Sequence, residues 1–503
     1  MKRFTLVFAS SVGLVGLACL AAVPVACVAS TNPSAPGDDA GPLPGEDSGT
    51  PGTDATAPGG DSGSDAGPVD SGADSADAAP APLTLTVLSG GLPESGVLVV
   101  FQDATGAVVS TATTDATGTV SQLVVAGSQL TAALGTAASP RLVTVQSVEP
   151  GDAITLVDTA SAGTTPDEPV LVTAPAPPWD ASGTVANVNA GADCGNELGY
   201  SFELTASCSS AGQFPLLVRA ENESGTELGY TYQTGNPLVP DGGLPEDGGP
   251  LQVAISRAWA TSSVTQTISA IVPGTPNMGF SYTEISGGVP VSGSGAGYET
   301  EDGGYSEAYV VHSGYPDFVQ TGASAGTLAD SVSSVVGGVT RAAPAATSQT
   351  TSFDLTTLPA ITGSSVDSTD AGTLVQPVVS WMSAGSLSSA NGIILSTYWS
   401  GDLPDGGGLV QGSWTIVTPS TTTTVQAPVM PSSAASFVPF AGATYARVPQ
   451  VAALEAPFVP GYAGLKAQFG TLLVFRGSNS SPELPTLPVN GTLYLSVVYQ
   501  QLD

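Results

Sequence analysis

The tetrapeptide Asp-Ala-Thr-Gly occurs twice, as Asp103-Ala104-Thr105-Gly106 and Asp115-Ala116-Thr117-Gly118, each copy set between short apolar or alternating runs. An aspartate side chain can cap a turn by accepting from backbone N–H groups just downstream, and glycine takes the positive φ that closes it. Stops every dozen residues leave room for strands but not for helices of ordinary length. Before them, Leu83, Leu85 and Val87 alternate with Thr84 and Thr86, which makes one face of that segment apolar. Residues 97–102, 107–113, 119–125, 130–134, 142–148 and 154–157 supply further strands, and the turns between the first three predict a meander.

The same punctuation continues downstream, with Asp-Gly turns at Asp241-Gly242, Asp247-Gly248, Asp302-Gly303 and Asp405-Gly406. Residues 451–455 and 327–339 offer weak helical windows, but Ser and Gly argue against both. Residues 378–382, 393–399, 413–417, 472–476 and 492–500 read as strands, the second and third forming a hairpin around the turn at 402–408. The expected fold class is all-β: tandem β-sandwich-like domains after a signal peptide and a disordered acidic linker. The expected boundaries are 1–26 (signal), 27–82 (linker), 83–158, 159–362 and 363–503.

Charge narrows the function. Against 43 Asp and Glu stand 9 Lys and Arg, a formal net charge of −34. Beyond Lys2 and Arg3 too few basic residues remain to follow a phosphate backbone, which excludes nucleic acid. A polybasic membrane-surface mode fails for the same reason. One histidine, His312, and four cysteines leave little metal or acid–base chemistry, and no cofactor or metal is expected.

Met1-Lys2-Arg3 opens the chain, an apolar run follows from 4 to 26, and small polar residues come next. That order predicts an export signal. Cys27 follows Pro24-Val25-Ala26 and precedes the linker. The arrangement resembles a bacterial lipoprotein signal, although Pro24 stands where that pattern usually has Leu. The resemblance implies lipidation at Cys27, a membrane partner through the lipid, and, with Val28 rather than Asp next, the outer membrane or cell surface. Cleavage near Ala29 or Ser30, giving a soluble periplasmic or secreted protein, is the alternative. Residues 31–80 hold ten acids, no base and no aromatic. Such a stretch cannot bury enough apolar area to offset chain entropy, and as a flexible coil it would span roughly 40 Å.

Residues 83–158 resemble the carboxypeptidase regulatory-like domain. The resemblance rests on Gly96-Val97-Leu98-Val99-Val100-Phe101, the first Asp-Ala-Thr-Gly, and Thr113-Thr114-Asp115-Ala116-Thr117-Gly118-Thr119-Val120. It implies a small transthyretin-like β-sandwich that is non-catalytic and serves as a spacer or stabilising module.

Several features bear on chemistry. Gly195-Asn196-Glu197-Leu198-Gly199-Tyr200-Ser201-Phe202 returns 30 residues later as Gly225-Thr226-Glu227-Leu228-Gly229-Tyr230-Thr231-Tyr232. The paired aromatics predict two equivalent core strands, or else an aromatic sugar platform. Cys194 and Cys208 flank the first copy and in an exported protein predict a disulfide, worth about 3 kcal/mol for its loop. Trp381, Trp399 and Trp414 predict a sandwich core, with an exposed ligand stripe as the alternative. Gly322-Ala323-Ser324-Ala325-Gly326 matches a nucleophile elbow, but that device needs a strand-to-helix turn and a histidine after the serine, whereas His312 precedes it. The Asp-Ser-Gly triplets at Asp47, Asp61 and Asp70 match aspartic-protease motifs only in a tract too flexible to hold a carboxylate pair. The expectation is a non-catalytic envelope lipoprotein with a structural or interaction role towards a protein or glycan. A glycan- or ligand-binding module and a hydrolase of unmarked type are the alternatives.

Overall fold

The computed structural model describes residues 81–89, 92–158, 168–179, 185, 187–191, 197–198, 201–204, 213–237, 251–261, 264–272, 277–298, 305–329, 332–371, 374–402, 408–440, 443–445, 449–472 and 487–500. The signal, Cys27, the acidic linker and the four Asp-Gly turns lie outside them. The described chain is predominantly β, arranged in several sheets consistent with tandem β-sandwich-like domains.

The first segment carries β1 (Leu83–Ser89), β2 (Leu92–Pro93), β3 (Leu98–Gln102), β4 (Val108–Thr113), β5 (Thr119–Gln122), β6 (Ser128–Thr136), β7 (Ser139–Val148) and β8 (Ala153–Asp158). The alternation read in β1 is real: Leu83, Leu85 and Val87 are fully buried. The meander is corrected. The first Asp-Ala-Thr-Gly closes a β3–β4 hairpin, but the second carries the chain out of that sheet, since β5 pairs with β1 and not with β4. Both turns share one geometry. Asp103 Oδ1 accepts from Thr105 N (2.8 Å), Thr105 Oγ1 (2.6 Å) and Ala107 N (3.0 Å). Asp115 Oδ1 accepts from Thr117 N, Thr117 Oγ1 and Thr119 N at the same distances. A turn sequence sets the turn; which strand lies alongside is decided by packing.

The second segment holds β9 (Glu168–Thr173), β10 (Asn187–Gly191), β11 (Glu197–Leu198), β12 (Ser201–Leu204), β13 (Gln213–Glu221), β14 (Glu227–Pro237) and β15 (Leu251–Ala254). The sheets β11-β10-β13-β14 and β12-β9-β15 enclose Val170, Val172, Phe214, Leu216, Val218 and Leu251. The repeat is not two equivalent strands. Its second copy runs through β14, whereas its first is divided between β11 and β12, which belong to different sheets. The expected disulfide falls with that premise. Among the described residues no cysteine pair stands at disulfide distance. Cys194 and Cys208 themselves lie outside those residues, and the described residues between them divide into β11 and β12 of two different sheets.

The remainder carries β16 (Val264–Ile271), β17 (Asn277–Ser286), β18 (Val289–Tyr298), β19 (Tyr305–Val311), β20 (Phe318–Ala329), β21 (Val332–Ala342) and β22 (Gln349–Asp354). After these come β23 (Ile361–Ala371), β24 (Leu374–Ser383), β25 (Gly392–Asp402), β26 (Leu409–Thr418), β27 (Thr424–Gln426), β28 (Thr444–Tyr445), β29 (Gln450–Glu455), α1 (Gly461–Leu472) and β30 (Thr492–Gln500). Both helical windows are strand: 451–455 lies in β29 and 327–339 in the β20–β21 hairpin. The one α-helix among the described residues is α1, whose last residue Leu472 was expected to open a strand.

One 13-stranded sheet, β18-β17-β20-β21-β30-β29-β25-β26-β7-β6-β3-β4 with β28 beside β25, runs through three of the expected domains. Its joints are the parallel β7–β26 pair and β30, which lies between β21 and β29. One face is covered by β1, β5, β8 and α1 around Leu85, Phe101, Leu130, Leu465 and Leu495. The opposite face is covered by β23-β24-β27 around Trp381, Trp399 and Trp414, and by β19-β16-β22 around Phe280, Tyr282 and Phe353.

Candidate functional site

Phe280, Tyr282 and Glu284 alternate along β17, so all three point to one face of the large sheet. That face is covered by β19, and the chain leaving β19 puts His312 against Glu284. Glu284 is fully buried and His312 nearly so. Glu284 Oε1 accepts from the Tyr282 hydroxyl at 2.7 Å and from the His312 backbone N–H at 2.8 Å. Its Oε2 pairs with His312 Nδ1. The other ring nitrogen, Nε2, lies 3.1 Å from both oxygens of Glu227, the first residue of β14. Three sheets thus meet on one imidazole.

A carboxylate on each ring nitrogen makes both nitrogens donors, which only the imidazolium can satisfy. Burial works against that charge, yet the bonds to Glu227 and Glu284 outweigh it and push His312 up to about 9. Burial, reinforced by Glu284, pushes the Tyr230 phenol up to about 12 and holds Tyr282 well above the usual tyrosine range.

The aromatics of the second repeat copy complete the junction. The Tyr230 ring meets the His312 ring edge-on at 4.7 Å, and its hydroxyl donates to Ser313 O at 2.8 Å. Tyr232 donates to Gly314 O, packs 4.7 Å from the Tyr315 ring and carries the Arg257 guanidinium at 3.9 Å on its face. Gly229 precedes them because there is no room for more: a Cβ there would stand 2.4 Å from Ala260 O and closer still to the Trp179 ring. Tyr230 and Tyr232 are buried, so they join two sandwiches and do not form an open platform.

No family model and no curated protein matches the chain. Among solved structures a similarity is found to the Bacillus anthracis TIE protein, at 8% identity and a TM-score of 0.14. It covers 55% of this chain and 50% of that one, so the match spans about half the length of either, and a likeness of that size carries no functional weight.

An imidazolium bonded through both nitrogens has no lone pair to offer a proton or a metal. Among the described residues no group of three or more His, Cys, Asp or Glu is placed to hold a metal ion. Ser324 of the elbow-like motif lies mid-strand in β20, paired on both sides and buried, with no strand-to-helix turn. Trp381, Trp399 and Trp414 are all buried in one apolar cluster and present no stripe to a ligand, Trp414 Nε1 donating to Thr144 Oγ1 at 2.9 Å. Cys27, Cys194 and Cys208 lie outside the described residues. Sequence reasoning set His312 aside as a lone histidine and did not find its partners. The usable signal was Glu284 itself, a carboxylate in phase with Phe280 and Tyr282 on an inward face.

Proposed function

We propose that this protein is an exported, lipid-anchored, non-catalytic component of the cell envelope, with a structural or interaction role. Cys27 carries the lipid, the acidic stretch holds the β body away from the outer membrane, and the first segment acts as a carboxypeptidase regulatory-like spacer. The observation that carries the reading is the use made of His312. The chain's one imidazole, with two carboxylates and four tyrosines, is committed to fastening neighbouring sandwiches, as suits a body that must keep its shape outside the cell. The order basic start, apolar run, cysteine and acidic tract supports the anchor.

The test is metabolic labelling with a radioactive fatty acid, followed by envelope fractionation, on the natural chain and on Cys27→Ala. Label on the natural protein in the outer-membrane fraction, lost in the variant, is the expected result. Unlabelled natural protein released to the medium would replace the anchor by plain secretion. Label retained by Cys27→Ala would remove Cys27 from its role.

A further inference from the structure

We propose that β4 is a docking edge for an extended segment of another protein, uncharged at its centre and bearing lysine or arginine on both flanks. β4 ends the 13-stranded sheet and, among the described residues, pairs only with β3. Thr114 N donates to Val97 O and Thr114 O accepts from Gly96 N, so from Ser110 to Thr114 the even-numbered residues face the sheet. By the alternation of an antiparallel ladder, Thr111 and Thr113 turn their N–H and C=O groups outward, while Val109 is the extra residue of a bulge where the register shifts between Phe101 and Gln102. Both threonines are exposed. Val429 N donates to Gly106 O, so the free edge begins beyond that turn.

Exposed edges are normally guarded by lysine, proline or an inward charge. β4 reads Val-Val-Ser-Thr-Ala-Thr and has none of these, and the bulge at Val109 twists only its first residues, leaving Thr111 and Thr113 on a regular edge. The opposite end of the sheet differs: β18 carries Pro290 and packs against β13. What β4 has are aspartates at both ends, Asp103 before it and Asp115 after it. Each gives Oδ1 to its own turn, and those bonds hold both carboxyls below the usual range and so ionised.

The flanking charge selects the occupant. A second copy laid antiparallel on β4 would set the Asp115 turn of one chain beside the Asp103 turn of the other, on molecules that already carry −34 each. The acidic tract at 31–80 is repelled in the same way. An incoming strand with cationic flanks meets one aspartate at each end while its backbone extends the ladder. This rests on the interaction role proposed above and not on the anchor, so a protein that fails acyl labelling would still bind.

The test uses the full chain and fluorescent heptapeptides of alternating Thr and Val, flanked by Lys, flanked by Glu, or Lys-flanked with the alternate backbone nitrogens methylated. Fluorescence anisotropy at low salt should show the Lys-flanked peptide binding at least about tenfold more tightly than either other peptide. Added salt should weaken it. Thr111→Pro removes an outward N–H at a position where an edge strand tolerates proline, and should abolish binding with the thermal midpoint kept. Asp103→Asn with Asp115→Asn should weaken binding while the turns persist, because Asn222 already accepts the same three bonds from Ser224 and Thr226. Equal binding of Lys- and Glu-flanked peptides, no binding of any, or full binding by Thr111→Pro would overturn the proposal. So would a dimer of the full chain whose β4 amides are protected from exchange.

Discussion

Glu284 has most to lose when its partner changes. It is fully buried and takes bonds from Tyr282, from the His312 backbone and from the His312 ring. His312→Gln removes the positive charge and leaves a carboxylate in the interior with its counter-charge gone, a change that typically costs about 3–5 kcal/mol. The natural junction should also depend on pH. The histidine is charged up to about 9 in the folded chain against 6.5 when unperturbed. A group whose pKa rises on folding gives its full stabilisation below the unfolded value and loses it as pH climbs through the folded one. Between those limits the natural protein should lose about 3 kcal/mol that His312→Gln does not. Urea unfolding followed at pH 6 and at pH 9 reads this directly. Parallel pH slopes for the two proteins would mean that the imidazole is not held charged.

At the level of elements, legibility followed locality. The strands Leu83–Ser89, Leu98–Gln102 and Thr492–Gln500 were readable because alternation and turn residues act within a few positions. The fate of β5 was not, because an Asx turn has the same geometry whether it closes a hairpin or changes sheets. α1 was missed for a related reason. Its sequence includes Gly461, Gly464 and Gly470, a poor helix by propensity, and contacts distant in sequence hold it. Leu465 enters the core over Gly392, where a Cβ would stand 2.6 Å from Leu465 Cδ2. Tyr462 donates to Gln146 O and Val417 O at 2.8 and 3.0 Å. Lys466 Nζ donates to Ser147 O at 2.8 Å and pairs with Asp152. Ser147 holds a left-handed φ of 51°, so its carbonyl is aimed at the lysine at some conformational expense. Lys466→Met keeps the stem and removes the charge. Because Asp152 remains partly open to water, the expected loss is about 1–3 kcal/mol, with faster amide exchange in α1. An unchanged midpoint with α1 still protected would show that Leu465 and Tyr462 hold the helix unaided.

Across the whole molecule, β30 decides whether the chain behaves as separate beads or as one body. It enters last in sequence yet lies in the interior of the sheet, between β21 and β29. Leu493, Leu495 and Val497 point into the core that also holds Leu83, Phe101 and Leu130, while Val498 points into the tryptophan cluster on the other face. A strand buried on both faces and paired on both edges couples whatever it touches, because its neighbours cannot open without exposing it. Independent beads would confine damage to the bead that carries the change. Leu495→Ala should cost about 2–5 kcal/mol through the cavity it leaves. The informative readout is where that loss appears. Amide exchange should quicken in β3 and β6, hundreds of residues upstream, and in β17 and β20 as well as in β29. The sandwich of β9 to β15, which has its own core, should change least. Quickening confined to residues 363–503 would mean that the large sheet is continuous in geometry but not in energy, and that the body is a string of beads after all.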